Sequence, residues 1–291
     1  MRIYPQNMIV EFKPTVEISH FRARGLDLNK KCTVSIPRVD ALYFLKYFSP
    51  NFKAILDYPS DDVLVSAVMC TCAGREKLAR HAVLQFREQT HEDKELVIIN
   101  QGSNWITKKG EENITEVMVR DDLTNGAMRN IGDSIARGQY IVRWDDDDIF
   151  TERRIEMQLN AIKETGYPAS SFSNYTVYIH EDNIVFDYCA EGPCVGLLMY
   201  KNEGKEYLED IETGSDSIFA SNYQQLVVVI DNNPSEYIRA YHGNNLHSKH
   251  KICGMYSGNK SDLISNAVIV GKDTDIDSIE YAKVVYRRLL S

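Results

Sequence analysis

The sequence predicts an α/β protein built on a mostly parallel central sheet flanked by helices. Three observations carry that prediction. Apolar runs of strand length recur at residues 63–69, 95–99 and 139–144, as expected of strands buried on both faces. Helical patterns alternate with them at short spacing, which is the signature of βαβ units. The last run leads directly into four consecutive carboxylates, Asp145-Asp146-Asp147-Asp148, at a strand end where open α/β sheets bind ligands.

Residues 1–62 read as an N-terminal extension that packs on the domain after it. Ile9-Val10-Glu11-Phe12 and Cys32-Thr33-Val34-Ser35-Ile36 look like short strands, residues 41–48 fit a helix or a strand, and Tyr58-Pro59-Ser60-Asp61-Asp62 reads as a linker. The regular pattern starts at residue 63. After the first strand, residues 75–89 are helical, with Leu78, Ala82, Val83 and Phe86 on one side. The second strand, 95–99, is broken by Gln101-Gly102-Ser103, and the third covers 115–119. Residues 126–136 form a helix with Met128, Ile131 and Ile135 on one face and Gly138 just past its end. The fourth strand, 139–144, ends at the acidic run, and a helix comes next over 151–165. Beyond it, residues 170–179 and 184–189 suggest a hairpin across His180-Glu181-Asp182-Asn183. Further strands are expected at 194–200, 226–230 and 237–241, and an amphipathic C-terminal helix at 276–290. The domain plan is therefore an extension over 1–62, a main α/β domain over 63–250 whose halves are 63–165 and 166–250, and a C-terminal helical segment over 251–291.

The chain has 291 residues, 43% hydrophobic and 26% charged, which suits a globular protein with a large core. Its formal charge of −9 and lack of a basic stripe give no support to nucleic acid as a partner. No window is long and apolar enough to span a bilayer, and the first residues lack the apolar core of a signal peptide. The six cysteines, Cys32, Cys70, Cys72, Cys189, Cys194 and Cys253, show no framework spacing, so a reducing cytoplasm is the simplest location.

Four like charges at the end of a buried strand are costly unless something positive meets them. A divalent cation is a natural partner, since hard ions prefer carboxylate oxygens and often bridge to phosphates. The plainer alternative is a solvated acidic turn capping the next helix.

The motifs around the run resemble those of family 2 glycosyltransferases. Val65-Ser66-Ala67-Val68-Met69-Cys70-Thr71 followed by Arg75 is similar to that family's first strand and loop. Residues 95–103 resemble its second strand and acidic turn, Gly126-Ala127-Met128-Arg129-Asn130-Ile131-Gly132 its helix start with a Gly shortly before Arg-Asn, and residues 140–149 its strand and Asp-x-Asp motif. The resemblance implies the GT-A fold, Rossmann-like, with a small antiparallel acceptor-side subdomain. It also implies an inverting, metal-dependent transfer from a nucleotide-sugar, most often a UDP-sugar, to a hydroxyl on a glycan, lipid, protein or other acceptor. By family register Asp147 ligates Mn²⁺ or Mg²⁺ directly, and Asp145 faces the ribose or base and the metal site. Asp146 and Asp148 are the alternatives one residue away. Thr71, Arg75, Asn100 and Arg129 are the implied donor contacts. Asp216, in Gly214-Ser215-Asp216, takes the position of the general base, with Glu209 and Asp210 as alternates, and a helix N-terminus there would favour its ionised form. A plain N-cap role for Asp216 or Ser215 is the structural alternative. His242 resembles the C-terminal His that completes the metal or diphosphate site, and His247 is second choice.

The chain departs from the pattern in three places. Asn100-Gln101 stands where acidic residues are usual, Cys70 and Cys72 replace a common Pro and aromatic, and Ser215 replaces a usual Glu. The first of these leaves the nucleotide base open. Other readings are a GT-A-like scaffold without activity and a nucleotidyltransferase. The single glycine in Cys72-Ala73-Gly74-Arg75 speaks against the nucleotidyltransferase, which needs a phosphate-cradling loop. A zinc cluster of His242, His247, His250 and Cys253 matches no common zinc-module spacing.

Overall fold

The computed structural model describes residues 62–189, 192–211, 214–223 and 226–243, with Asn245, Lys283 and four short N-terminal strands. Those strands are β1 (Arg2–Tyr4), β2 (Asn7–Phe12), β3 (Cys32–Pro37) and β4 (Phe52–Ala54). The possible element at 41–48, the C-terminal helix at 276–290 and the residues His247, His250 and Cys253 lie outside the described residues.

The expected alternation is present. It runs β5 (Val65–Thr71), α1 (Glu76–Arg87), β6 (Lys94–Asn100), β7 (Ile114–Met118), α2 (Asn125–Ile135), β8 (Tyr140–Arg143), β9 (Ile149–Phe150) and α3 (Arg154–Thr165). Next come β10 (Ala169–Phe172), β11 (Asn174–Ile179), β12 (Ile184–Cys189), β13 (Met199–Lys201), α4 (Ser215–Ser221), β14 (Val227–Asp231) and β15 (Tyr237–Tyr241). The main sheet has eight strands in the order β1-β14-β10-β13-β8-β5-β6-β7. Strands β8, β5, β6 and β7 are mutually parallel, whereas β13 runs antiparallel to both its neighbours and β1 pairs antiparallel with β14. Residues 2–4 thus form an edge of the main sheet, while β3-β2-β4 make a separate small one.

Both faces of the main sheet are covered, which explains the unbroken apolar runs. Ala67, Met69, Leu96, Ile98 and Val142 point to the face packed by α1 and α3, through Ala79, Phe86, Ile155 and Leu159. Val68, Val97, Ile99 and Ile141 point the other way, towards Met128 of α2, Phe219 of α4 and the Tyr200–Tyr207–Tyr223 group.

The segment expected as one strand over 170–179 divides at Ser173. Phe172 pairs with β14 in the main sheet, while Asn174 begins the hairpin strand of a second sheet, β12-β11-β15-β9. Buried Asn174 and Asn232 seal the division. The Asn174 amide donates to the Asn232 carbonyl at 2.8 Å, and the Asn232 amide donates to the Asn174 carbonyl at 2.9 Å. At the expected strand 194–200, Val195–Leu197 is a 3₁₀ turn and the paired strand is Met199–Lys201.

Candidate active site

The chain enters the acidic run under tight constraint. The Trp144 N–H donates to the Val68 carbonyl, closing the last parallel pair, Val68 with Arg143. Trp144 is fully buried, its indole N–H donates to the Ala82 carbonyl of α1 at 3.1 Å, and its ring packs on Phe150. From the other side, Arg154 of α3 donates to the Arg143 carbonyl at 2.6 Å while its guanidinium lies 4.0 Å from the Phe150 ring centre. Helix α3 has Arg153 at its N-cap, so the acidic run does not cap it.

The four aspartates then divide. Asp145 is the open one, with a side chain 41% exposed, whereas the Asp147 side chain is 13% exposed and Asp146 and Asp148 are almost wholly buried. Asp148 accepts from the Tyr237 hydroxyl at 2.6 Å and the Ala240 N–H. Burial, together with the adjacent charges of Asp147 and Asp145, pushes its carboxyl well above the usual range. Asp146 accepts from the Thr71 hydroxyl at 2.7 Å and from Arg75 at 2.5 Å, and burial raises it to about 7 against the pull of Arg75. Burial alone would raise Asp147 as well. There Arg75 and His242 outweigh it and hold the carboxyl down at about 2.

These groups line a cleft of about 480 Å³ at the C-terminal ends of β5, β6 and β8. Thr71, Arg75, Arg129, Asp145, Asp146, Asp147 and Asp216 all lie on its wall, with Gln101, Arg239 and Asn245. Thr71 is spent on Asp146. Arg129 is 6% exposed, pairs closely with Asp216 and lies 3.7 Å from Asp145. It therefore links Asp145 to Asp216. Asp216 sits in the first turn of α4, whose N-cap is Gly214, so neither Asp216 nor Ser215 is the cap. Glu209 is tied to α2 by the Asn130 amide at 2.9 Å.

Two predicted residues stand back from the cleft. Asn100 is 1% exposed; its amide donates to the Asn104 carbonyl and Glu116, and its oxygen accepts from the Gly102 N–H. It shapes the turn, and Gln101 reaches the cleft instead. The His242 side chain is fully covered, with Nε2 3.3 Å from Asp147 Oδ2. It faces Asp147 from behind the wall.

Several site residues escaped the sequence reading. Glu116 of β7 lies opposite Ile98 in register and meets the buried Asn100 amide behind the cleft. It accepts from Asn100, the Ile106 N–H, and the Thr107 N–H and hydroxyl. Burial opposes its charge, but those donors outweigh burial and lower its pKa. Arg143, buried in β8, forks onto Asp133 of α2 at 2.9 and 2.7 Å and donates to the Tyr207 hydroxyl at 2.6 Å. Tyr207 in turn stacks on Phe219 of α4, so Arg143 ties the strand before the acidic run to the helix that carries Asp216. Asn245 donates to Asp147 at 3.0 Å. A buried Arg in a strand and a Glu on an edge strand carry no local sequence signal, because their partners are far apart in the chain.

Among the described residues no three His, Cys, Asp or Glu side chains gather closely enough to cage a metal. Asp145 and Asp147 nevertheless suit a hard cation. Both are cleft-lining carboxylates, and Mg²⁺-type sites often use one or two carboxylates and complete their shell with water and substrate phosphates.

The family model for glycosyl transferase family 2 matches residues 66–227, more than half of the chain. Among curated proteins, the uncharacterized glycosyltransferase MJ1057 of Methanocaldococcus jannaschii is 36% identical over 108 residues, covering 34% of this chain and 37% of that protein. The match thus spans little more than a third of that relative. Among solved structures, S. aureus TarS 1-349 in complex with UDP-GlcNAc superposes with a TM-score of 0.51 at 12% identity, covering 78% of this chain and 72% of that chain. The common fold is GT-A, with the mostly parallel sheet described above. No described helix is long and apolar enough to cross a membrane. By the extent of the family match, this chain belongs to glycosyl transferase family 2.

Proposed function

We propose that the protein transfers a sugar, with inversion, from a nucleotide-sugar donor to an acceptor hydroxyl, using a divalent metal. The observation that carries this reading is the convergence on one cleft of Asp145 and Asp147 with Arg75, Arg129 and Asp216. The UDP-GlcNAc bound by the TarS neighbour supports a nucleotide-sugar as the donor class. The free thiols Cys70, Cys72 and Cys194 support a cytoplasmic setting.

Asp147 and Asp145 would hold Mn²⁺ or Mg²⁺, with Asn245 and His242 orienting Asp147. When bound, the metal supplies Lewis-acid stabilisation of charge on the leaving diphosphate. Arg129 offers a fixed cation to the same side of the cleft. Asp216 accepts the proton of the acceptor hydroxyl as its oxygen attacks the anomeric carbon opposite the diphosphate. The new glycosidic C–O bond forms as the bond to the diphosphate oxygen breaks, and the nucleoside diphosphate leaves. Because Asp216 removes a proton and forms no bond to the sugar, one displacement inverts the anomeric centre.

The test is thermal stabilisation by a panel of nucleoside diphosphates with and without Mn²⁺. Mn²⁺-dependent stabilisation by one of them is expected and identifies the base. No shift with any of them overturns this reading in favour of a scaffold.

A further inference from the structure

We propose that Arg75 is a resident counter-cation of the acidic run, which a divalent metal must displace from Asp147 in order to bind. The inference rests on the metal reading of the cleft and adds a device to it. Arg75 stands at the N-cap of α1, directly after the loop that leaves β5. A single nitrogen, Nη2, lies 2.5 Å from Asp146 Oδ1 and 2.5 Å from Asp147 Oδ2. One positive nitrogen between the carboxylates of adjacent residues stands where a hard cation would also be drawn. Asp147 Oδ2 accepts from Asn245 as well, at 3.0 Å. That oxygen is therefore already provided for, and a metal meets competition there.

The grip is exchangeable in form. Both contacts use the same nitrogen, not the two-nitrogen fork that makes arginine–carboxylate pairs strongest. Arg75 Nε is buried without a hydrogen-bond partner, so no bond at Nε anchors the guanidinium in this pose. Arg75 lines the cleft and its side chain is 16% exposed, so it can turn towards an arriving ligand. A diphosphate offers the planar guanidinium new acceptors. Moving Arg75 from Asp147 to phosphate would free the carboxylate for the metal, so metal and diphosphate each favour the state that the other needs. Couplings of this kind are typically about 5- to 150-fold.

The test measures Mn²⁺ affinity alone, without nucleotide, from the loss of the free-ion electron paramagnetic resonance signal. Arg75→Gln is expected to bind Mn²⁺ about tenfold more tightly than the unmodified protein. Arg239→Gln removes another cleft-lining cation and controls for charge alone; it should tighten binding several-fold less. Adding Asp147→Asn to Arg75→Gln should abolish the gain. Unchanged affinity in Arg75→Gln, or an equal gain in Arg239→Gln, overturns the proposal. Circular dichroism checks folding. If Arg75→Gln does not fold, Arg75→Met, which keeps an unbranched side chain without the charge, should show the same tightening, and no tightening overturns the proposal. The diphosphate panel separates the two failures. A positive panel with a flat Arg75 variant removes this inference alone, and a flat panel removes it together with the metal reading.

Discussion

The two sides of the large sheet are built differently. On one side β8, β5, β6 and β7 run parallel in short βα steps, and their C-terminal ends deliver Thr71, the Asn100 turn and the acidic run to one edge. On the other side β13, β10, β14 and β1 mix directions, draw on both chain regions and hand part of the chain to a second sheet at Ser173. The parallel side fixes where charge gathers, because strand ends in register cannot shift without moving side chains to the other face. The mixed side brings Asp216 to that charge through side chains, by the Tyr207–Phe219 stack and the ion pair with Arg129. The proposed donor site is thus held by backbone pairing, and the proposed base by side-chain contacts.

The sharpest way to separate the two sides is Asp216→Asn. It should lower transfer by about 10²- to 10⁴-fold while nucleoside diphosphate binding, followed by thermal shift, stays within a few-fold. Loss of diphosphate binding in step with transfer would mean that Asp216 belongs to the donor side.

Arg143→Ala attacks the joint between the sides. It leaves Asp133 without its fork and removes the cation beneath Tyr207. Breaking a buried pair from one side costs about 3–5 kcal/mol, so a shift of that size is expected in urea denaturation. A loss below about 1 kcal/mol would show that the Tyr207–Phe219 stack holds α4 unaided.

Gly126→Ala tests the same joint at the backbone. A Cβ there would clash with the Leu208 carbonyl oxygen, and α2 must move away from the 207–208 segment. Overpacking of this kind costs about 1–3 kcal/mol. Transfer should fall more than diphosphate binding, since the displaced segment leads to Asp216.

The same contrast explains what the sequence made readable. Val65–Thr71 and Lys94–Asn100 are covered on both faces, so their apolar runs stand out, and the motifs sit at their ends. The division at Ser173 leaves no such mark. β10 reads Ala-Ser-Ser-Phe, and its buried serines satisfy themselves on distant carbonyls of Gln158 and Cys194. Among the site residues, Asp145, Asp147, Arg129 and Asp216 could be named from motif position. The burial of Asp146 on Thr71 and Arg75, and the retreat of Asn100 from the cleft, depend on partners 75, 71 and 16 residues away.

Glu116 is where that long-range logic makes its smallest and cleanest prediction. Its two oxygens take donors from Asn100, Ile106 and Thr107, so they organise the loop after β6. In Glu116→Gln, whichever oxygen becomes an NH₂ group must face N–H donors, so at least one buried donor loses its acceptor, at about 1–3 kcal/mol. The folded-state pKa is depressed from the ordinary value of 4.5. The ionised form therefore contributes its stability in full above pH 4.5 and loses it as pH falls through the depressed value. Urea denaturation should accordingly find the variant less stable near pH 7, with the gap closing below pH 4.5. A gap that stays constant with pH would mean that the loop depends on the shape of the side chain and not on its charge.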